Sequence, residues 1–141
     1  MISNNLNINT KGKVCYITFP KLENTGIVKH LFSTRLGGVS TGRYQSMNLS
    51  FLNGDQRENV LKNYQNLCEC VGIDIHNLVL SRQTHTDNIK TITADNCGTG
   101  IFKESFNSSP DFVVLIIIAP SFFRPAVTST QSKSVSSTTT T

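Results

Sequence analysis

The stretch that decides the fold runs from residue 30 to residue 50 and reads HLFSTRLGGVSTGRYQSMNLS. It starts with the mixed alternation of a partly buried β-strand and then reaches Arg35 and the pair Gly37-Gly38. Glycine allows positive φ and lets a ligand come close to the backbone. The stretch therefore predicts a strand that ends in a tight turn, with Arg35 as a candidate anion anchor because a guanidinium donates bidentate hydrogen bonds.

Further strands are predicted wherever β-branched and aromatic residues recur between turn signals. Outward from the opening stretch, these strands are Val14–Phe19, Ile27–Thr34, Leu78–Leu80, Ile89–Thr93 and the apolar run Phe112–Ile118. The last of them is uncharged throughout, which is typical of a strand buried on both faces. Together with one helix, these strands predict an α/β (α+β) fold.

The helix is predicted from about Gln56 to Val71. Asp55 and Glu58 have the spacing of a capping box, with Asp55 as N-cap, and Gly72 stands where a C-terminal glycine stop belongs. Cys68 is expected in the buried stripe and Cys70 away from it, so neither thiol is expected to be catalytic. Residues on the apolar face recur at helical intervals: Val60, Leu61, Tyr64, Leu67, Cys68 and Val71.

Composition limits the class of protein. A chain of 141 residues with 38% hydrophobic and 16% charged residues predicts one soluble domain, and no apolar run approaches the roughly 20 residues of a membrane span. The N-terminus has no apolar signal region, so a cytoplasmic location is expected. The net charge of +4 is spread over scattered lysines and arginines. Nucleic-acid binding therefore stays a minor alternative to an anionic small ligand.

The cysteines and histidines decide what metal chemistry is open. Four cysteines without a zinc-type spacing predict free thiols. His85 lies in the turn between two predicted strands, where a loop can present a metal ligand or catalytic group. His30 is expected to pack within a strand, and His76 has no partner identifiable from the sequence. A catalytic zinc site uses three protein ligands, and the only thiol after His85 is Cys97.

Three blocks, in order, carry a family resemblance: HLFSTRLGGVS at 30–40, YQSMNL at 44–49 and QTH at 83–85. They are joined by Gly54-Asp55, Val60 and Asn63 at matching positions. These blocks resemble the N-terminal half of the YfiH/laccase-domain family, and the resemblance covers about residues 26–111. That family is named for multicopper polyphenol oxidase activity, but its members look like zinc-dependent purine nucleoside enzymes.

The resemblance implies a layered α/β/β/α sandwich with mixed sheets. It also implies phosphorolysis of adenosine, inosine, guanosine and methylthioadenosine, with phosphate as co-substrate, together with adenosine deamination. In the family pattern His85 is a zinc ligand and catalytic residue. Arg35, Asn48 and Gln83 are then candidate substrate-binding residues, since phosphate or ribose can accept from Arg35 and an amide has both a donor and an acceptor end.

The later part of the chain departs from the family. The remaining two ligands of the family come from Ala-Asp-Cys and His-Ala-Gly-Trp motifs, and neither motif occurs here. We therefore expect residues 1–113 to form the N-terminal portion of a truncated purine nucleoside phosphorylase domain. Residues 114–141 are then an aberrant or disordered tail, with serine and threonine dominating 126–141. A frameshift or aberrant splice after about Val113 would explain this change.

Three functions remain open at this point. The first is the family enzyme, impaired in this chain because two of three metal ligands are missing. The second is a catalytically inactive fragment or pseudoenzyme without metal, which we expect not to phosphorolyse inosine. The third is a copper-dependent phenol oxidase (laccase), which is disfavoured because multicopper centres need many histidines and this chain has three.

Overall fold

The computed structural model describes residues 5–81 and 90–106. Its longer elements are a three-stranded sheet and a 15-residue helix, with short 3₁₀ turns at 42–44, 75–77 and 94–96. The expected α+β class is thereby confirmed. Strands and helices follow in this order: β1 Asn7–Lys11, β2 Val14–Thr18, α1 Pro20–Glu23, β3 Phe32–Ser33 and α2 Arg57–Val71.

The described sheet is antiparallel, in the order β1-β2-β3. A two-residue connection, Gly12-Lys13, joins β1 to β2 and pairs Lys11 with Val14. The predicted strand Val14–Phe19 matches β2 except that it extends one residue too far. The sequence does not predict β1, because the β1 sequence NINTK has one apolar residue in five. The strand conformation of β1 comes from pairing with β2 and not from a periodic pattern.

Other predicted strands are shorter or absent in the described residues. Of the predicted strand Ile27–Thr34 only Phe32–Ser33 pairs with β2, and Ile27 is 85% exposed. Residues 78–80 and 90–93 are not strands either. Leu78 and Leu80 instead make single backbone hydrogen bonds to the turn at 98–99, at 2.8 and 2.9 Å, which closes a loop without forming a ladder. The run Phe112–Ile118 lies outside the described residues.

Helix α2 joins two small cores. Its Leu67 packs with Val14 of β2 and Met47, whereas Cys68 on the next position packs with Leu78 and Ile101. The stripe prediction is confirmed for Val60, Leu67 and Cys68, which are buried. The prediction that Cys70 points away from the core is wrong, because its side chain is half-buried against the first core. The apolar face of α2 is therefore wide enough for both cores to pack against it.

The ends of α2 differ in how well the sequence predicts them. The N-cap is Gln56, without a side-chain cap, so the predicted capping box led by Asp55 is wrong. Asp55 stands one residue further out, where its carboxylate accepts from the Gln56 N–H at 2.8 Å. At the other end Gly72 has φ +68° and the Ile73 N–H donates to the Cys68 carbonyl at 2.9 Å, the expected glycine stop.

Candidate functional site

The loop between β3 and α2 carries Arg35 and is shaped first by the adjacent glycines Gly37 and Gly38. A Cβ on Gly37 would lie 2.0 Å from the Lys13 carbonyl oxygen, and one on Gly38 would lie 2.0 Å from the Ser46 carbonyl oxygen. No side chain fits at either position. The sequence predicts that these glycines let a ligand approach the backbone. In the structure the space beside them is instead filled by backbone of the same chain, the start of β2 at Gly37 and residues 46–47 at Gly38.

Asn63 of α2 holds this loop from inside. Its side chain is fully buried, with 0% exposure. Its Oδ1 accepts from the Val39 N–H at 2.7 Å, and its Nδ2 donates to the Asn48 carbonyl at 2.8 Å and to Ser40 Oγ at 3.0 Å. A further donation reaches the Ser46 carbonyl at 3.3 Å. One amide therefore connects both arms of the loop to the helix, and it satisfies polar groups that burial would otherwise penalise.

Arg35 lies at the mouth of this loop with an exposed side chain. Its carbonyl accepts from the Met47 N–H at 3.1 Å, and its Nε donates to the Gln45 carbonyl at 2.7 Å. Nε is thus fixed by the opposite arm of the loop, and within the described residues the two terminal nitrogens have no hydrogen-bond partner. The guanidinium is therefore held by one edge, and none of the described residues hydrogen-bonds to its other donors, which have the planar geometry that suits an anion.

Asn48 is buried, and both ends of its side-chain amide are occupied within the protein. Its Nδ2 donates to the Asp55 carboxylate at 2.9 Å, and its Oδ1 accepts from the Ser50 N–H at 3.2 Å. The pKa of Asp55 is lowered, first by the Asn48 amide and then by the Ser40 hydroxyl. The structure thus shows Asn48 orienting the loop before α2, and its contact with a substrate stays a prediction.

The lowered pKa of Asp55 predicts a specific pH dependence of stability. A carboxyl whose folded pKa lies below its unfolded value stabilises the fold above the unfolded pKa, near 4, and loses that stabilisation as pH falls through the folded pKa. Asp55→Asn should therefore be less stable than the wild type at pH 6, with the difference shrinking toward pH 2–3. Urea unfolding across this range measures it. A constant difference at all pH values would contradict the assignment.

Two predicted site residues, Gln83 and His85, lie outside the described residues. Nearby, the Ser81 hydroxyl is buried without a hydrogen-bond partner in the structure. His30 and His76 are described, and both depart from expectation. His30 is outside any strand, stacks on Phe19 at 5.8 Å and accepts from the Phe19 N–H through Nε2 at 2.8 Å. His76 does have partners: Asp74 Oδ1 lies 3.2 Å from its Nδ1, and Phe102 stacks at 4.6 Å.

The described side chains do not form a metal-binding cluster. Between residues 5 and 81 and between 90 and 106, no three histidine, cysteine, aspartate or glutamate side chains lie close enough to hold a metal ion. All four cysteines are free thiols. Burial raises the pKa of Cys68 to about 11 and also raises the pKa of Cys70, so both thiols stay protonated at neutral pH and are poor nucleophiles. None of the helices in the described ranges has the length and apolarity to cross a membrane.

Two proteins of known name are similar in sequence to part of this chain. A purine nucleoside phosphorylase of Corynebacterium glutamicum is 34% identical over 65 residues, which are 46% of this chain and 26% of that protein. A purine nucleoside phosphorylase of Bacteroides thetaiotaomicron is 34% identical over 70 residues, which are 50% of this chain and 26% of that protein. This chain therefore spans about a quarter of the length of these relatives.

A solved structure supports the fold. The hypothetical protein YfiH of Bacillus licheniformis superimposes with a TM-score of 0.59 at 23% identity, over 68% of this chain and 34% of that one. The family described as multi-copper polyphenol oxidoreductase laccase matches residues 29–119, which include the Arg35 loop, α2 and both Gln83 and His85. Because this match spans more than half of the 141 residues, the chain belongs to the multi-copper polyphenol oxidoreductase laccase family.

Proposed function

We propose that this protein serves purine nucleoside phosphorolysis and that the Arg35 loop forms the phosphate side of its site. The observation that carries the proposal is the family match over 29–119 together with two relatives named purine nucleoside phosphorylase. In this reaction a phosphate oxygen attacks the anomeric carbon of the ribose as the bond to the purine nitrogen breaks. The site must therefore hold a doubly charged anion beside a sugar that develops positive charge.

The geometry of Arg35 suits that task. Anchoring Nε to the Gln45 carbonyl removes freedom that a flexible arginine would lose on binding, so less entropy opposes the capture of an anion. The terminal nitrogens then match two phosphate oxygens in one plane. The close backbone contacts at Gly37-Gly38 and the hydrogen bonds of Asn63 hold the loop that carries Arg35, so the guanidinium is presented from a rigid backbone.

Gln83 and Asn48 are proposed to contact the nucleoside, and His85 is proposed as a ligand of zinc and a catalytic group. A bound zinc would supply the activated water that adenosine deamination requires. A cytoplasmic location, where nucleosides and phosphate are both present, completes the proposal.

Replacing Arg35 tests the phosphate anchor. Arg35→Ala should weaken phosphate binding by about 10- to 100-fold, since a charge-assisted hydrogen-bonded contact contributes about 1.5–3 kcal/mol. Arg35→Lys should recover part of this affinity, because an ammonium keeps the charge but loses the planar pair of donors. Isothermal titration calorimetry with phosphate alone, so that no nucleoside is turned over, measures each dissociation constant.

Arg43→Ala is the matched control for that experiment. Arg43 is an exposed arginine that instead lies over the Tyr44 ring and donates to the Tyr44 hydroxyl. Its removal lowers the net charge as much as removal of Arg35 does, so it should change phosphate affinity less than about 2-fold if binding is specific. Equal losses in the two variants would reduce the effect to general electrostatic attraction and contradict the anchor.

Product analysis distinguishes the active enzyme from the inactive alternative. Hypoxanthine released from inosine only when phosphate is present would identify phosphorolysis. Binding of both ligands without release would identify an inactive member of the family. Oxidation of a phenol with no binding of nucleoside or phosphate would contradict the proposal altogether.

A further inference from the structure

The outer face of the sheet is unusually apolar for a surface. Val14 and Tyr16 of β2 pack into the first core. By the alternation of a strand, Cys15 and Ile17 point to the opposite side, which we call the outer face. The register aligns Ile17 with Ile8 of β1 and with Phe32 of β3, so three apolar side chains form one row across all three strands. The neighbouring row pairs Thr10 with Cys15.

The two ends of this row are exposed, and Ile17 between them is half-buried. Ile8 is 70% and Phe32 63% exposed, and the paired positions of the outer face carry no charged residue. A sheet that turns one face to water normally places polar and charged side chains there. An uncharged row that continues from one edge strand to the other is typical of a surface that a further layer covers.

We infer that the outer face, centred on the row Ile8, Ile17 and Phe32, is a docking surface for the segment Phe112–Ile118 of the same chain. That segment reads FVVLIII, seven consecutive apolar residues without a charge, and it needs burial as much as the outer face does. Its β-branched content suits an extended strand of about 23 Å, long enough to cross the three strands of the sheet.

A second copy of the chain is a weaker occupant. The three side chains of the row bury on the order of a few hundred Å², whereas a stable dimer buries about 1,200 Å² or more in total. A segment of the same chain needs less contact area, because its tether replaces association from solution by a high effective concentration. The net charge of +4 also makes two copies repel.

Photo-crosslinking of the full chain tests this inference. Phe32 is replaced by p-benzoylphenylalanine, which an exposed site tolerates, and the irradiated protein is digested with trypsin. The segment lies within tryptic peptide 104–133, since trypsin does not cut between Arg124 and Pro125. We expect crosslinks from position 32 to this peptide within one molecule. Mixing ¹⁴N- and ¹⁵N-labelled protein distinguishes them from crosslinks between copies.

Matched variants make the outcome decisive. The same photo-reactive residue at Leu52, 76% exposed in the connection between β3 and α2 and outside the outer face, should not label peptide 104–133. Ile116→Asp should abolish the crosslink from position 32, whereas Ser134→Asp in the serine-rich tail should leave it. Crosslinks between two copies, equal labelling from positions 32 and 52, or labelling that survives Ile116→Asp would each overturn the inference.

Discussion

Gly38→Ala is expected to cost about 4 kcal/mol or more of the free energy of unfolding and to leave little folded protein. The added Cβ would lie 2.0 Å from the Ser46 carbonyl oxygen, so one of the two backbone segments must move. Neither segment can move cheaply. The Ser46 carbonyl also accepts from Ser40 and Asn63, and the Gly38 N–H donates to Ser46 Oγ at 2.8 Å. Overpacking against fixed backbone belongs to the severe class of substitutions.

Gly12→Ala is the control for this prediction. Gly12 has φ +61°, and an added Cβ would have no atom within 4 Å, so alanine there meets the strain of the left-handed region alone. We expect a loss of about 1–2 kcal/mol. Urea unfolding followed by circular dichroism compares the two variants. If Gly38→Ala proved as stable as Gly12→Ala, the close crossing at Gly38 would not exist in solution.

Asn63→Leu is expected to destabilise the protein by about 3–5 kcal/mol although leucine is similar in size and more apolar. The substitution leaves the Val39 N–H and the Asn48 carbonyl without their partner, and each unsatisfied buried group costs about 1–3 kcal/mol. The loop should also loosen around Arg35, because both of its arms lose their link to α2. Chemical denaturation measures the stability, and hydrogen exchange of the Val39 amide measures the loop.

Gln65→Leu provides the comparison on the same helix. Gln65 is exposed, and within the described residues its side chain accepts one hydrogen bond, from Lys62 at 3.3 Å. We expect its replacement to change the free energy of unfolding by less than about 0.5 kcal/mol. A similar small effect at Asn63 would mean that water or neighbouring groups replace its hydrogen bonds, and that the amide does not organise the loop.

Local sequence predicts the elements whose stability is local. Helix α2 ends at Gly72 as expected, because an apolar stripe and a left-handed stop are readable from neighbouring residues. β1 is not predictable in this way, since its polar residues become a strand only by pairing with β2. The predicted strand at 27–34 fails for the converse reason: its alternation is real, but only two residues find a partner.

The candidate site is predictable in part. Arg35 and the glycine pair are identifiable from the sequence, but the reason for the glycines is not, because the approaching backbone comes from β2 and from residues 46–47. Asn63 enters the sequence argument only as part of the family pattern. A signal is present: between Val60 and Leu67, Asn63 interrupts the buried stripe of α2 with an amide, and such a residue needs partners that only the distant loop supplies. Gln83 and His85 remain predictions.

The most direct test of the account follows the Arg35 side chain itself during a phosphate titration, by ¹⁵N NMR of the protein without nucleoside, so that no phosphate is consumed. The Nε–H is already hydrogen-bonded to the Gln45 carbonyl, which favours its detection. We predict a saturable shift of the Arg35 Nε–H signal and of the Gly37 and Gly38 amides, absent with chloride at equal ionic strength. Small, unsaturated shifts spread over all lysines and arginines would contradict a phosphate site at the Arg35 loop.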